Sequence, residues 1–437
     1  MARVLMGPLS RAVVVEHPDH SLDVMLREQG MEVHRIEHTP DEAELLEVMQ
    51  QTRAQVLFKR SRVPVTRELV ESCTELFAIQ LCCIGDDSVD KQACADHGVL
   101  VFNDPISNAR SVVELVVAHL IALSRRLYET DPVCRQGIWE KNNTERYEIK
   151  GKVLGILGLG NIGRQVARAA DALGMRVHFF DSRYAATEVG TEFGWEAASS
   201  IQELMAASDY ITVHLSASDE RGQSNRNILT RDILMMLGKN RPESSPRIFL
   251  NLGRGFLHQP EDLLAAIDAG VIRRAAIDVY PDEPRGGEDW DNPYESNTRV
   301  AVTPHIGAAT LEAQPRIARR VAWTLGQYSK NGTVRDMVFS PRARLGLVDD
   351  ASSDKVLLAV AHSTARGTKR AVDDAIYKAG ASNLSSVHKD FESLGMAYDL
   401  SVIDRLLSEE EVHGLVSEAA RVSNDPTAIR SVRQIKL

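Results

Sequence analysis

The sequence predicts an α/β protein with two doubly wound, largely parallel sheets and a third, smaller domain of ferredoxin-like order. Three observations predict it. Between residues 11 and 302, apolar runs of strand length alternate with helical stretches. Inside that alternation, Lys152 to Asp181 (KVLGILGLGNIGRQVARAADALGMRVHFFD) reads strand, glycine turn, helix, strand. Beyond residue 354 the order becomes β-α-β-β-α-β.

The first alternation opens with a short strand, Arg11 to Val15. Leu22 to Gln29 is helical, and Gly30 suits its C′ position. Met31 to Ile36 is a strand and Asp41 to Gln51 an acidic helix. Val56 to Phe58 is a third strand, running into Lys59-Arg60-Ser61-Arg62. A helix over Thr66 to Cys73 and strands at Phe77 to Cys83 and Val99 to Phe102 follow. Residues 107–128 read as one long helix with little polar interruption, buried on most sides and suited to a domain junction or a subunit interface. After the glycine turn, strands are expected at Tyr210 to Leu215, Ile248 to Leu252, Ala275 to Val279 and Val300 to Val302. Two polar segments, Gly238 to Arg247 and Pro281 to Thr298, interrupt them. A helix over 311–328 returns to the first domain, and Ser340 to Ser353 has linker composition. The expected division is therefore 1–106 with 316–339, then 107–315, a linker at 340–353, and a last domain at 354–437.

A chain of 437 residues is long enough for several cores. Its formal charge of −10 argues against a nucleic-acid surface. The apolar run Val112 to Leu123 is broken by Glu114 and His119, so no membrane span is expected. The start has no apolar core of a signal peptide, which leads to an expectation of cytoplasmic location. Cys73, Cys82, Cys83, Cys94 and Cys134 show no metal-ligand spacing, so reduced thiols and no metal centre are expected.

The glycine turn carries the first chemical signal. Gly158 permits a tight turn, Gly160 lets backbone approach a pyrophosphate, and Gly163 lets helix and strand pack closely. Asn161 and Ile162 open the helix, whose N–H groups face the phosphates. Asp181, 18 residues past Gly163, ends the next strand and can accept hydrogen bonds from ribose hydroxyls. A carboxylate there repels a 2′-phosphate, which argues for NAD over NADP; Arg183 tempers that argument.

Three further residues follow successive strands. Arg254 stands in NLGRG, Glu283 in DVYPDEP and His305 in TPHIGAAT. Ligands of open α/β sheets bind beyond the carboxyl ends of strands, so these positions converge on a cofactor crevice. A guanidinium can hold a carboxylate and a neighbouring keto oxygen. A histidine can take a proton from an alcohol as hydride leaves, and a carboxylate behind it orients the ring and stabilises the imidazolium. One arginine after a strand is ordinarily a surface residue; it is the set of three downstream of a dinucleotide loop that points to catalysis.

The set resembles the D-isomer-specific 2-hydroxyacid dehydrogenases, over most of residues 11–338. The resemblance implies reversible hydride transfer between NAD and a D-2-hydroxyacid, with a flavodoxin-like substrate domain and a Rossmann NAD-binding domain. It assigns Arg254 to the substrate carboxylate, His305 to acid/base work with Glu283 as its partner, and Asp278 to the neighbourhood of the nicotinamide carboxamide. Within the family, FKRSR, LCCIGDDSVD, FNDPISNARSVVELV and GIWEKN look like the subgroup that acts on phosphoglycerate and carries a C-terminal ACT domain. That implies a phosphate held by Arg60, Ser61 and Arg62, with Lys141 supplied across a subunit interface. In regular strand geometry at most one of Arg60 and Arg62 points into the cleft; a turn could present both. The resemblance also implies a homodimer or homotetramer.

Two departures stand out. The turn after Phe77 to Cys83 carries Asp86 and Asp87 beside an anionic site, without an evident reason. In the ACT-like domain, His362-Ser363-Thr364-Ala365-Arg366-Gly367 replaces the amide and proline of the effector turn with Thr364 and Arg366, while Asn383 is kept. Feedback inhibition by serine is therefore expected to be weak or absent. Two other readings stay open: a dehydrogenase for 2-hydroxyglutarate or glyoxylate, and a non-catalytic NAD-sensing corepressor or scaffold.

Overall fold

The computed structural model describes residues 2–219, 223–284, 289–339, 344–346 and 355–436. The expected linker at 340–353 lies mostly outside the described residues. The chain divides into two units, Met1–Ser107 with Gln314–Leu437, and Asn108–Ala313.

In the first unit, β1 (Arg3–Met6) precedes an alternation of β2 (Arg11–Val14), α1 (Ser21–Glu28), β3 (Glu32–Arg35), α2 (Glu42–Gln51), β4 (Val56–Lys59), α3 (Arg67–Ser72), β5 (Ala78–Leu81), α4 (Lys91–Asp96) and β6 (Leu100–Phe102). Side chains of Asp41, Thr66 and Asp90 accept from first-turn N–H groups and fix where α2, α3 and α4 begin. β4, β5 and β6 are buried along their whole length, which is why their sequences run apolar rather than alternating. The sheet is parallel, in the order β3-β2-β4-β5-β6.

The second unit opens with α5 (Ala109–Arg125) and α6 (Leu127–Arg135). One continuous helix was expected here, and the structure corrects that. Arg126 adopts a left-handed conformation, φ 59°, and breaks it. The break lets Glu129 pair with both Arg126 and the buried Arg274, which also holds Glu145 at 2.9 Å. A buried guanidinium without carboxylates would be costly, so the kink serves Arg274. β7 (Val153–Leu157), α7 (Asn161–Ala172), β8 (Arg176–Phe180), α8 (Tyr184–Glu192), β9 (Glu196–Ala197), α9 (Ile201–Ala207), β10 (Tyr210–Val213), α10 (Arg231–Leu234), β11 (Ile248–Asn251), α11 (Pro260–Asp268), β12 (Arg274–Ile277) and β13 (Val300–Val302) follow. The parallel order is β13-β12-β11-β10-β7-β8-β9, so the direction of winding reverses between β7 and β10. Alternate residues of the central strands feed two cores, Leu154, Ile156 and Leu250 on one face and Leu157, Ile211 and Phe249 on the other.

The first unit resumes with α12 (Ala313–Asn331), whose Tyr328 meets Phe102 at 5.0 Å between ring centroids. Then β14 (Val356–Ser363), α13 (Thr368–Lys378), β15 (Asn383–Phe391), β16 (Met396–Ile403), α14 (Glu409–Ser423) and β17 (Ile429–Lys436) form an antiparallel ferredoxin-like sheet under two helices. The sequence reading begins its first strand at Arg11, but β1 joins this last sheet as a fifth strand parallel to β17, Arg3 opposite Ser431. The buried guanidinium of Arg3 donates to the carbonyls of Val70 and His97, while Arg433 lies 3.9 Å over the ring of Tyr328. The ferredoxin-like sheet is thus anchored to the first sheet's helices inside one unit. None of the five cysteines is in a disulfide, and Cys73, Cys82 and Cys94 are buried. No helix among the described residues is long and apolar enough to cross a membrane.

Candidate active site

The glycine turn leaves the fully buried β7 beside the winding reversal. Gly158 has φ +95°, and a Cβ there would stand 2.8 Å from the carbonyl oxygen of His214. Gly163 packs so closely that a Cβ would stand 2.1 Å from the Gly158 oxygen. Around Gly160 the space is open, the nearest atom to a Cβ being Arg183 Nη2 at 3.8 Å. Two glycines are therefore demanded by the protein's own packing, and the third by whatever approaches the turn. Gly160 is the N-cap of α7 and brings no side chain to the first-turn N–H groups of Asn161 and Ile162. That cradle fits a pyrophosphate.

Asp181, just past β8, is almost buried. Its Oδ2 accepts from Leu159 N at 2.8 Å and its Oδ1 from Arg183 N at 2.9 Å. Arg183 adds Nε and Nη2, each at 2.8 Å. Burial works against ionisation, but the hydrogen bonds and charge of Arg183 outweigh it and hold the carboxyl below the usual range. The two oxygens are already met by four protein donors, so ribose hydroxyls would compete with Arg183 for Asp181.

Arg254, Glu283 and His305 all lie in loops that follow strands of this unit. Asn251, at the end of β11, shapes the first loop: its Nδ2 donates to Arg254 O at 2.9 Å and its Oδ1 accepts from Gly253 N at 3.0 Å. A Cβ on Gly255 would stand 1.9 Å from the Tyr280 carbonyl carbon, so the loop packs directly against the backbone after β12. His305 Nδ1 lies 2.7 Å from Glu283 Oε2. His305 has φ +53°, a conformation that side chains rarely adopt. Asp278 holds that turn. Its Oδ1 accepts from Ile306 N at 2.9 Å and Thr303 Oγ1 at 2.5 Å, and its Oδ2 from Gly307 N at 2.9 Å. The structure thus places Asp278 under the His305 turn, with both oxygens engaged.

In the other unit, β4 ends at Lys59, so Arg60, Ser61 and Arg62 lie in a turn. Lys59 is buried, with Nζ 2.7 Å from Ser88 Oγ and 4.0 Å from Glu16 Oε2. Arg60 is partly buried; Ser61 and Arg62 are exposed. The backbone N–H groups of Arg60, Arg62 and Val63 all donate to the buried Glu16 carboxylate, at 2.5, 2.5 and 2.8 Å. Glu16 thus occupies three of the turn's backbone donors, those of Arg60, Arg62 and Val63, which leaves a phosphate arriving here mainly the side chains.

Comparison with known proteins places this geometry. Residues 117–307 match the D-isomer specific 2-hydroxyacid dehydrogenase, NAD binding domain. D-3-phosphoglycerate dehydrogenase of Dictyostelium discoideum is 32% identical over 321 residues, 73% of this chain and 74% of that protein. The chain belongs to the D-isomer-specific 2-hydroxyacid dehydrogenase family. D-3-phosphoglycerate dehydrogenase 1 of Saccharomyces cerevisiae is 29% identical over 427 residues, 94% of this chain and 86% of the yeast protein. Among solved structures, a glyoxylate reductase from Paecilomyes thermophila superposes with TM-score 0.65 at 24% identity, covering 76% of this chain and 98% of that one.

NAD is the cofactor of this dehydrogenase family's domain, and the glycine cradle and Asp181 lie inside the matched residues. Glu16, Asn251 and the anchoring role of Asp278 escape sequence reading. The one signal for Glu16 is an acidic residue directly after the apolar run ending at Val15. Asp86 gains a reason: it pairs with Lys91 at 3.0 Å in the turn before α4. Lys141 is exposed, beside Trp139 at 83% exposure. In the ferredoxin-like domain Thr364 and Arg366 are exposed, and Asn383 Nδ2 lies 3.3 Å from Ser401 Oγ.

Proposed function

We propose that the chain is an NAD-dependent D-3-phosphoglycerate dehydrogenase, oxidising 3-phospho-D-glycerate to 3-phosphohydroxypyruvate for L-serine biosynthesis. The observation that carries this reading is the similarity to D-3-phosphoglycerate dehydrogenases over most of the chain, and the 2.7 Å bond between His305 and Glu283, on two loops of the unit that holds the glycine cradle, supports the chemistry.

Bound NAD supplies the hydride acceptor. His305 Nε2 takes the proton of the 2-hydroxyl as the carbon–hydrogen bond is given up, and returns it in the reverse reaction. Glu283 holds Nδ1–H, which fixes the tautomer and balances the imidazolium. Asp278 keeps the left-handed His305 turn in place. Arg254 grips the substrate carboxylate with its planar fork. Arg60, with Ser61, Arg62 and Lys141, binds the phosphate through side chains.

The exposed apolar residues Leu127, Tyr128, Ile138 and Trp139 around α6 support a homodimer, with Lys141 offered to the neighbouring subunit. Cysteines outside any disulfide support a cytoplasmic setting. The departures at Thr364 and Arg366, together with the Asn383–Ser401 contact, support weak or absent inhibition by serine.

NADH oxidation with 3-phosphohydroxypyruvate, compared with 2-oxoglutarate, glyoxylate and pyruvate, tests the reading. The phosphorylated keto acid is expected to give the highest kcat/KM. Faster turnover of any of the other three would overturn the assignment, and tight NADH binding without turnover of any would overturn catalysis altogether.

A further inference from the structure

The ferredoxin-like sheet holds the one group of imidazole and carboxylate side chains, among the described residues, whose donor atoms lie close enough to share a metal ion. It consists of His362 on β14, His388 on β15 and Asp399 on β16, with one donor atom of each within 4.8 Å of the others. The register explains the convergence. Asp399 stands directly opposite His388 on one side and Val360 on the other, and His362 lies two residues past Val360. Directly opposed and alternate residues share a face, so all three lie on the face that carries the core residue Val360.

Each side chain is already held from behind. His362 Nδ1 bonds to Ser363 O at 2.8 Å, His388 Nε2 to Asp390 Oδ1 at 3.1 Å, and Asp399 Oδ1 accepts from Ser401 Oγ at 2.8 Å. Metal-ligating histidines and carboxylates are held in this way by outer partners that fix the ring and leave the other atom to the metal. The atoms facing one another are His362 Nε2, His388 Nδ1 and Asp399 Oδ2, of which His388 Nδ1 and Asp399 Oδ2 share a hydrogen bond that an ion would replace. The last two are 3.3 Å apart, a separation that two ligands of a tetrahedral ion would have with bonds of about 2 Å. His362 is 1% exposed, and its Nε2 has no hydrogen-bond partner among the described residues. A buried ring nitrogen left unsatisfied calls for an explanation, and a ligand is one.

A cation already sits at this place. Lys369 Nζ lies 3.0 Å from Asp399 Oδ2, and 2.6 Å from Asp373 Oδ1 on its own helix. We propose that His362, His388 and Asp399 form a site for a divalent transition ion, zinc being the best match to two imidazoles and one carboxylate, with Lys369 as its built-in competitor. When the ion binds, the ammonium leaves Asp399 and stays with Asp373, and water completes the coordination. The site lies outside the dehydrogenase machinery and ties three strands of the ferredoxin-like sheet together.

The test uses the full-length protein, stripped with a chelator. Cobalt(II) is titrated while its visible ligand-field absorption is followed, and zinc is then titrated against a chromophoric chelator. One equivalent per chain is expected. His388→Ala, at a partly exposed position, is expected to weaken binding by about tenfold or more. Lys369→Met is expected to tighten it, because the competing charge is gone. His413→Ala, an exposed histidine on α14, is expected to leave affinity unchanged. Far-ultraviolet dichroism and NADH binding check that every variant is folded. Absence of stoichiometric binding, an unaltered affinity in His388→Ala, or weaker binding in Lys369→Met would each overturn the proposal.

Discussion

The guanidinium of Arg183 lies across both carboxylate oxygens of Asp181, Nε 2.8 Å from Oδ1 and Nη2 2.8 Å from Oδ2. The charge that should exclude a 2′-phosphate is thus partly cancelled by its own neighbour. Arg183→Ala is expected to sharpen the preference for NAD, because the bare carboxylate repels NADP and regains acceptor sites for ribose. Asp181→Ala is expected to act oppositely, raising KM for NAD by about tenfold or more through lost charged hydrogen bonds while admitting NADP. Steady-state kinetics with both cofactors check the pair; shifts in the same direction would refute this account.

His305→Gln is expected to lower kcat by about a hundredfold or more, the usual contribution of an acid/base group. Glu283→Gln is expected to cost less and to displace the pH profile of kcat. NADH binding, followed by fluorescence, should survive both substitutions. A kcat for His305→Gln within a few-fold of the parent would remove His305 from the chemistry.

Glu16 gathers three backbone N–H groups and faces the buried Lys59. Burial pushes the lysine ammonium below its ordinary range, and Glu16 opposes that. Removing the carboxylate leaves a buried charge and unmet donors, so Glu16→Ala is expected to cost about 3 kcal/mol. Urea denaturation measures the loss. A KM for 3-phosphohydroxypyruvate that rises with it would tie the basic turn to phosphate binding.

His258 accepts from Asn251 Nδ2 at 3.2 Å and donates to Tyr294 Oη at 3.0 Å. Burial pushes it down to about 4, against about 6.5 when unfolded. A lowered folded value means that the neutral ring's contribution is complete above the unfolded value and is lost as pH falls toward the folded one. About 3 kcal/mol should disappear between about pH 6.5 and about pH 4. His258→Gln does not titrate, so its urea midpoint should fall less than the parent's over that window.

The alternation of strands and helices, the glycine turn and the βαββαβ tail were legible because each is written in local periodicity and turn chemistry. What the sequence hid was non-local. The Arg126 break depends on Arg274, a residue distant in sequence whose burial needs two carboxylates. Glu16 reads as an ordinary surface acid until the turn after β4 folds over it. His362, His388 and Asp399 meet only through strand register, which no spacing in the chain announces. That Arg254 and His305 follow strands was legible, because each comes directly after a short apolar run.

β1 and β17 lie side by side although Met6 and Gln434 are 428 positions apart. On the ribosome, Arg3 to Met6 emerges long before its partner strand, Ile429–Lys436. Until β17 is made, that edge has no mate and β1 no sheet to join. Pairing of such high contact order is slow, and it exposes the early product to swapping between nascent chains.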